Sequence, residues 1–144
     1  MTLRHVLSTA LLSLGLMSTA TAKDLHTITL HINDLQSAKG DVHIIIYNDP
    51  STFLHKEQAL RRIVLPAQKG QLTTSITDLP PGTYAISLFH DEDSSGDLTR
   101  NFFRMPAEGT GLSNDARPHM GPPRYEDASF ELNNDATVQI HTVY

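Results

Sequence analysis

Apolar and polar residues alternate with period two along most of this chain, a pattern that suits strands with one buried face and fits helices poorly. Ile28, Leu30 and Ile32 point one way while Thr27, Thr29 and His31 point the other. Val42, Ile44 and Ile46 repeat the pattern after the turn-like segment 36–40. A hairpin symmetric about Ser37 sets Ile32 opposite Val42, Leu30 opposite Ile44 and Ile28 opposite Ile46, and it sets His31 opposite His43 on the other face. Further strands are predicted over 62–65, 72–76, 84–88, 128–132 and 137–143. Asp78-Leu79-Pro80-Pro81-Gly82 and Asn133-Asn134-Asp135 supply turns between them, and 51–61 reads as one or two helical turns. Seven strands of this kind predict an all-β antiparallel sandwich, immunoglobulin-like or transthyretin-like.

The rhythm stops between Asp91 and Asp127, a stretch rich in Gly, Pro, Asn and Asp in which no helix or strand is predicted. Structureless loops longer than about 12–15 residues are uncommon inside compact domains unless they serve a function or are disordered. This one carries Phe102, Phe103, Met105, Leu112, Met120 and Tyr125, enough apolar surface to order itself over one end or edge of the sandwich.

Residues 1–22 have a different character. Arg4 and His5 precede an apolar stretch from Val6 to Met17, and the small residues Ala20-Thr21-Ala22 follow. That order predicts a secretory leader cleaved after Ala22, its core too short for the roughly 20 residues of a membrane span. A single domain over 23–144 remains, with no further apolar span. The expected destination is the periplasm, with secretion into the medium as the alternative. The chain has no cysteine, so neither a disulfide nor a lipid anchor is expected. Its formal charge of −5 argues against a nucleic-acid footprint and against membrane-surface binding through basic clusters.

Five motifs in order then suggest a family: Leu79-Pro80-Pro81-Gly82-Thr83-Tyr84, Phe89-His90-Asp91-Glu92-Asp93, Asn101, Gly111-Leu112-Ser113-Asn114, and Gly121-Pro122-Pro123 followed by Ala128-Ser129-Phe130. Together they resemble the bacterial domain of unknown function 2141 family from Leu25 to Tyr144. The resemblance implies a small exported domain and carries no mechanism. The proline-proline-glycine turn is also similar to that of transthyretin-like and carboxypeptidase-regulatory sandwiches. The catalytic tail of transthyretin-like hydrolases does not appear in His141-Thr142-Val143-Tyr144, so that activity is not carried over.

The densest chemistry lies in Asp91-Glu92-Asp93-Ser94-Ser95-Gly96-Asp97-Leu98-Thr99. Counted as a calcium loop, Asp91, Asp93 and Ser95 take the first, third and fifth positions, Gly96 the sharp turn, Asp97 the backbone carbonyl and Thr99 the ninth. Phe102 stands where a bidentate glutamate belongs, so Glu108, Asp115 or Asp127 would have to supply the missing oxygens. The competing reading is a solvated turn held by side-chain-to-backbone hydrogen bonds. His90, Asn101, Phe102, Phe103, Ser113, Asn114 and Tyr125 are candidates to line a ligand groove beside this loop. The expected function is a non-enzymatic binding or structural module with calcium as its cofactor, presenting a surface to an envelope protein, a peptide or a saccharide. One alternative is a small hydrolase using His90 and the neighbouring carboxylates; another is a transition-metal site at His31 and His43.

Overall fold

The computed structural model of the protein describes residues 24–101 and 106–144. The expected leader and the candidate groove residues Phe102 and Phe103 lie outside the described residues. Eight strands form an all-β sandwich: β1 (His26–Leu35), β2 (Asp41–Tyr47), β3 (Arg61–Pro66), β4 (Gly70–Leu79), β5 (Gly82–Asp91), β6 (Gly109–Leu112), β7 (Phe130–Leu132) and β8 (Ala136–His141). One sheet has the order β4-β1-β8; the other has the order β3-β2-β5-β6, with β7 pairing to the start of β5. Two short 3-10 turns, Pro50–Thr52 and Lys56–Gln58, fill the connection from β2 to β3 where helical turns are expected.

The core lies between the sheets. Ile28, Leu30 and Ile32 of β1 meet Val42, Ile44 and Ile46 of β2 together with Ile76, Ile86, Leu88, Leu132 and Ile140. Each such side chain, fully buried, favours folding by about 1.5–3 kcal/mol, and this shared layer holds the two sheets face to face.

The predicted hairpin of β1 with β2 does not form. β1 pairs with β4 and β8, β2 pairs with β3 and β5, and the two strands face each other from opposite sheets. The apolar pattern is the same in either arrangement, because the period of a strand marks which face is buried and not which strand lies beside it. The segment 36–40 is therefore a corner between sheets. At its end Gly40 has φ +65°, and the place of a Cβ is taken by the backbone carbonyl of Asp91. Only glycine lets the corner lie this close to the end of β5.

Two further differences follow from crossings between sheets. β7 and β8 lie in different sheets, so the turn at 133–135 carries the chain across, and β8 runs parallel to β1 instead of antiparallel. The stretch 91–127 also contains structure that its sequence does not announce: β6, a 3-10 turn over Ser113–Asp115 and the one-turn helix α1 (Tyr125–Ala128). β6 reads Gly-Thr-Gly-Leu, too short and glycine-rich to show a period, yet it pairs with Ser87–His90 of β5. Gly111 is required there because a Cβ would run into Ile140 of β8. No helix among the described residues is long and apolar enough to cross a membrane.

Candidate functional site

A second apolar layer covers the outer face of the larger sheet. Ile45 and Tyr47 of β2 and Ala85 and Phe89 of β5 point away from the main core and are buried under 91–127 together with Phe53, Leu112, Tyr125 and Ala128. Phe53 sits edge-on to both Tyr47, at 5.4 Å, and Tyr125, at 5.6 Å. The imidazole of His43 stacks on Phe89 at 4.5 Å between ring centres.

The excursion is bound to this face at both ends. At its start the buried carboxylate of Asp91 accepts hydrogen bonds from the backbone N–H of Ser95 at 3.0 Å and of Gly96 at 2.8 Å, while Asp93 also accepts from Ser95 N–H at 3.1 Å. Burial alone pushes the Asp91 carboxyl up, but the N–H groups of Gly96 and Ser95, with Asp93 and His43 adding to them, hold it below its ordinary value. The Nε2 atom of His43 lies 3.2 Å from the same carboxylate. Ser94 and Gly96 both take positive φ, 53° and 82°, which turns the chain back on itself. Lys56 reaches across from the second 3-10 turn to donate to the Gly96 carbonyl at 3.1 Å and to pair with Asp97.

Beyond Asp97 the chain is bridged between Arg100 and Pro106, and Ala107 N–H donates to the Thr99 carbonyl at 2.9 Å. Glu108, itself buried, accepts from Thr99 N–H at 3.0 Å. At the far end Ser113 is fully buried and its hydroxyl bonds to the backbone of Ile86 and Ala128. Asn114, at φ 58°, donates to the Ser129 carbonyl at 2.8 Å, and Tyr125 donates to the Thr83 carbonyl at 3.1 Å. Asp115 accepts from both the backbone N–H and the ring Nδ1–H of His141, at 2.8 and 2.7 Å.

Between these anchors, the described part of the excursion and the outer face of the sheet line a half-open cavity of about 810 Å³. Ile45, Phe89 and Leu112 form its floor, with Leu98, Pro106 and Pro118 as walls. Tyr47 and Ser87 supply hydroxyls, and Lys56, Asp97, Arg100 and Arg117 supply charge. The volume falls within the range of small-molecule sites, which combine an apolar lining with a few placed polar groups.

The calcium-loop residues divide in this geometry. Carboxylate oxygens of Asp91 and Asp93 lie within 4.8 Å of one another and of an oxygen of Glu108. Ser95 donates its backbone N–H to that group and its hydroxyl to the Asp97 carbonyl at 2.9 Å. The Asp97 side chain turns to Lys56, and Thr99 contributes its N–H to Glu108. Glu92 is engaged by Ser37, Asp127 by Arg124, and Asp115 by His141.

The candidate groove residues are placed otherwise than expected. His90 points into the main core, on the opposite face of β5 from the cavity, and is fully buried. Its Nε2–H donates to the Lys39 carbonyl at 2.7 Å, and its Nδ1 lies 2.5 Å from the Tyr144 hydroxyl. Ser113, Asn114 and Tyr125 pin the excursion to the sheet edge, and Asn101 lies exposed beside the Arg100–Pro106 bridge. The anticipated His31–His43 pair is also overturned. His31 bonds to Thr73 at 2.9 Å on the outer face of the smaller sheet, and His43 stacks on the outer face of the larger one. Both faces are outward, so the whole sandwich separates the two rings.

Sequence reasoning passed over Ile45, Phe89, Lys56, Arg100 and Arg117. A usable signal was present for the first two: Ile44-Ile45-Ile46 and Ser87-Leu88-Phe89 interrupt the alternation, as strands covered on both faces do. Neither the curated proteins nor the solved structures gave a match to this chain. A family profile described as "Uncharacterized protein conserved in bacteria (DUF2141)" matches residues 30–140, nearly the whole of the described sandwich, and the chain belongs to that DUF2141 family.

Proposed function

We propose that this chain is an exported, non-catalytic binding module that holds a small ligand between the outer face of its larger sheet and the arch of the excursion. The observation that carries the reading is the cavity of about 810 Å³, with an apolar floor and a charged rim, under a segment anchored at both ends. An apolar ligand fits better than a saccharide. Sugars bind on open aromatic faces, and here the face of Phe89 is occupied by His43. Hydrolysis through His90 fits the geometry poorly: the ring is fully buried, both nitrogens are engaged, and it faces away from Asp93 and Glu108.

A fluorescence titration of the protein with a neutral, environment-sensitive naphthylamine tests this reading. Saturable enhancement is expected, and Ala116→Trp, which fills the cavity from its rim, is expected to abolish it. Absence of any saturable signal overturns the proposal.

A second reading concerns a calcium-type ion, favoured by the three clustered carboxylates. Oxygens coordinating calcium at 2.3–2.6 Å can be at most about 5 Å apart, and the 4.8 Å limit within which Asp91, Asp93 and Glu108 converge meets that condition. Such an ion would join Asp91 and Asp93 to Glu108 and so stiffen the wall that Leu98 and Pro106 form. A melt after chelation, repeated with calcium, magnesium, zinc and copper, tests it. Calcium at about ten times its Kd stabilises by about 1.4 kcal/mol, a rise of roughly 4 °C in a domain of this size. An equal response to all four metals, or none, leaves the segment as a turn held by its own hydrogen bonds.

A further inference from the structure

We infer that β4 is a dimerisation edge: it pairs antiparallel with the β4 of a second copy about a two-fold axis at Thr73, and the two smaller sheets become one. The inference is independent of the cavity and goes beyond the binding reading above.

The sandwich is closed along one side and open along the other. Thr110 of β6 and Val143, just beyond β8, exchange backbone hydrogen bonds at 2.8 Å and join the two sheets there. On the opposite side β3 and β4 each have a single neighbouring strand among the described residues. Ile63 and Leu65 of β3, which pack against the core, are only partly buried on that side. β3 carries Arg61, Arg62 and Pro66, the kinds of residue that keep an edge from pairing with its own copy. β4 lacks them: its 10 residues include no proline, and 70–77 carries no charge.

Hydrogen bonds fix which backbone groups of β4 are turned to the open edge. On the β8 side of β1, Thr27 N–H donates to Asp135 and the Asn33 carbonyl accepts from Thr142 N–H. Backbone groups alternate from side to side along a strand, so Ile28, Leu30 and Ile32 direct theirs to β4, where Ile76, Thr74 and Leu72 are their partners. Gln71, Thr73, Ser75 and Thr77 therefore present N–H and C=O to the open edge. The Thr77 carbonyl bears this out, because it accepts from the Arg61 guanidinium at 2.7 Å.

A second copy of the same strand is the occupant that fits. With Arg61 on Thr77, the ladder left for a partner is 71, 73 and 75. An axis at Thr73 sets Thr73 against itself and Gln71 against Ser75 of the other copy, hydrogen-bonded pairs that each exchange both N–H···O bonds. An axis at Thr74 would set Gln71 against Thr77 and displace Arg61. Charge agrees with this register. Lys69 and Asp78 flank the neutral run, both exposed, and neither forms a salt bridge among the described residues. Antiparallel pairing about Thr73 brings Lys69 of each copy beside Asp78 of the other. On the outer face it places hydroxyl and amide side chains opposite one another, pairs that favour strand association.

Sedimentation equilibrium of the purified protein from micromolar to millimolar concentration tests the inference. A reversible rise toward twice the mass of one chain is expected. Thr73→Pro removes both N–H groups at the axis and should weaken the dimer about tenfold or more. The fold itself tolerates this change, because a proline on an edge strand turns its missing donor to solvent. Thr73→Lys and Thr73→Glu each place like charges opposite one another and should be monomeric. An equimolar mixture of these two variants should restore the dimer, since residue 73 meets itself at the axis. Position 73 is exposed, so dilute samples of the charged variants should melt close to wild type. A protein that stays monomeric at every concentration overturns the inference and leaves the edge to a strand of another protein. A dimer that survives all three substitutions overturns it in favour of a different face, and a mixture that stays monomeric overturns the axis at Thr73.

Discussion

Along β1 every second side chain from Ile28 to Ile32 is buried, whereas along β2 from Val42 and along β5 from Tyr84 burial is unbroken to the strand end. The two sheets share one core but treat their outer faces differently. The smaller sheet shows solvent a row of Thr29, His31, Thr73 and Ser75, with His31 and Thr73 bonded across strands. The larger sheet carries a second apolar layer there, and the cavity lies inside that layer. The cavity thus lies under the excursion, which is anchored on the larger sheet through Asp91, Ser113 and Tyr125 and on the smaller sheet through the Asp115–His141 contact.

Phe53→Ala attacks the second layer at its aromatic centre and should destabilise by roughly 3–5 kcal/mol. His31→Ala, on the outer face of the other sheet, should stay within about 0.5 kcal/mol. Urea unfolding of both variants checks the pair, and equal costs would mean that the excursion contributes no real layer. Gly40→Ala acts at the corner that sends β1 and β2 to different sheets. Adding a side chain at φ +65° against the Asp91 carbonyl should cost at least about 2 kcal/mol, and a neutral result would contradict the close approach.

A smaller effect of opposite sign is expected at Thr142. Its hydroxyl is buried and has no hydrogen-bond partner among the described residues. Thr142→Val should therefore raise stability by about 1 kcal/mol, read as a later midpoint in the same urea series.

The weakest effect is electrostatic, where the excursion is tied to the smaller sheet. Burial alone raises the Asp115 carboxyl, but hydrogen bonds from the backbone and ring of His141 hold it below its ordinary 3.8. The stability it contributes is therefore present above that value and lost as pH falls through the lower folded-state value. The pair is partly exposed, so the contribution is below about 1 kcal/mol. Asp115→Asn should unfold closer to wild type at about pH 3 than at about pH 6, and an unchanged gap would sink the assignment.

Much of the fold was readable from residue order alone. The periodicity of 28–32, 42–46, 72–76 and 84–88 marked strands that do form, and the inner residues it chose are those of the core. The neighbours of β1 and β2 were not readable, because pairing side by side and facing across a core require the same alternation. Glu108 could be named as a supplier of oxygens. Its approach to Asp91 and Asp93 depends on the Arg100–Pro106 bridge, which residue spacing does not encode. His90 was misjudged because closeness in sequence to an acidic turn says nothing of facing it. Adjacent residues on a strand point to opposite sides, so His90 enters the core while Asp91 meets the excursion.

What the sequence by itself determined is local: which segments extend, which faces are apolar, and that 91–99 turns under its own carboxylates. Each rests on interactions within a few residues, where period and turn chemistry act directly. The tertiary structure alone decided which strands became neighbours, how the arch closed over Ile45 and Phe89, and that Arg100 and Arg117 share one cavity. Those outcomes join residues distant in sequence, and they are set by which apolar faces must be covered once the chain has collapsed.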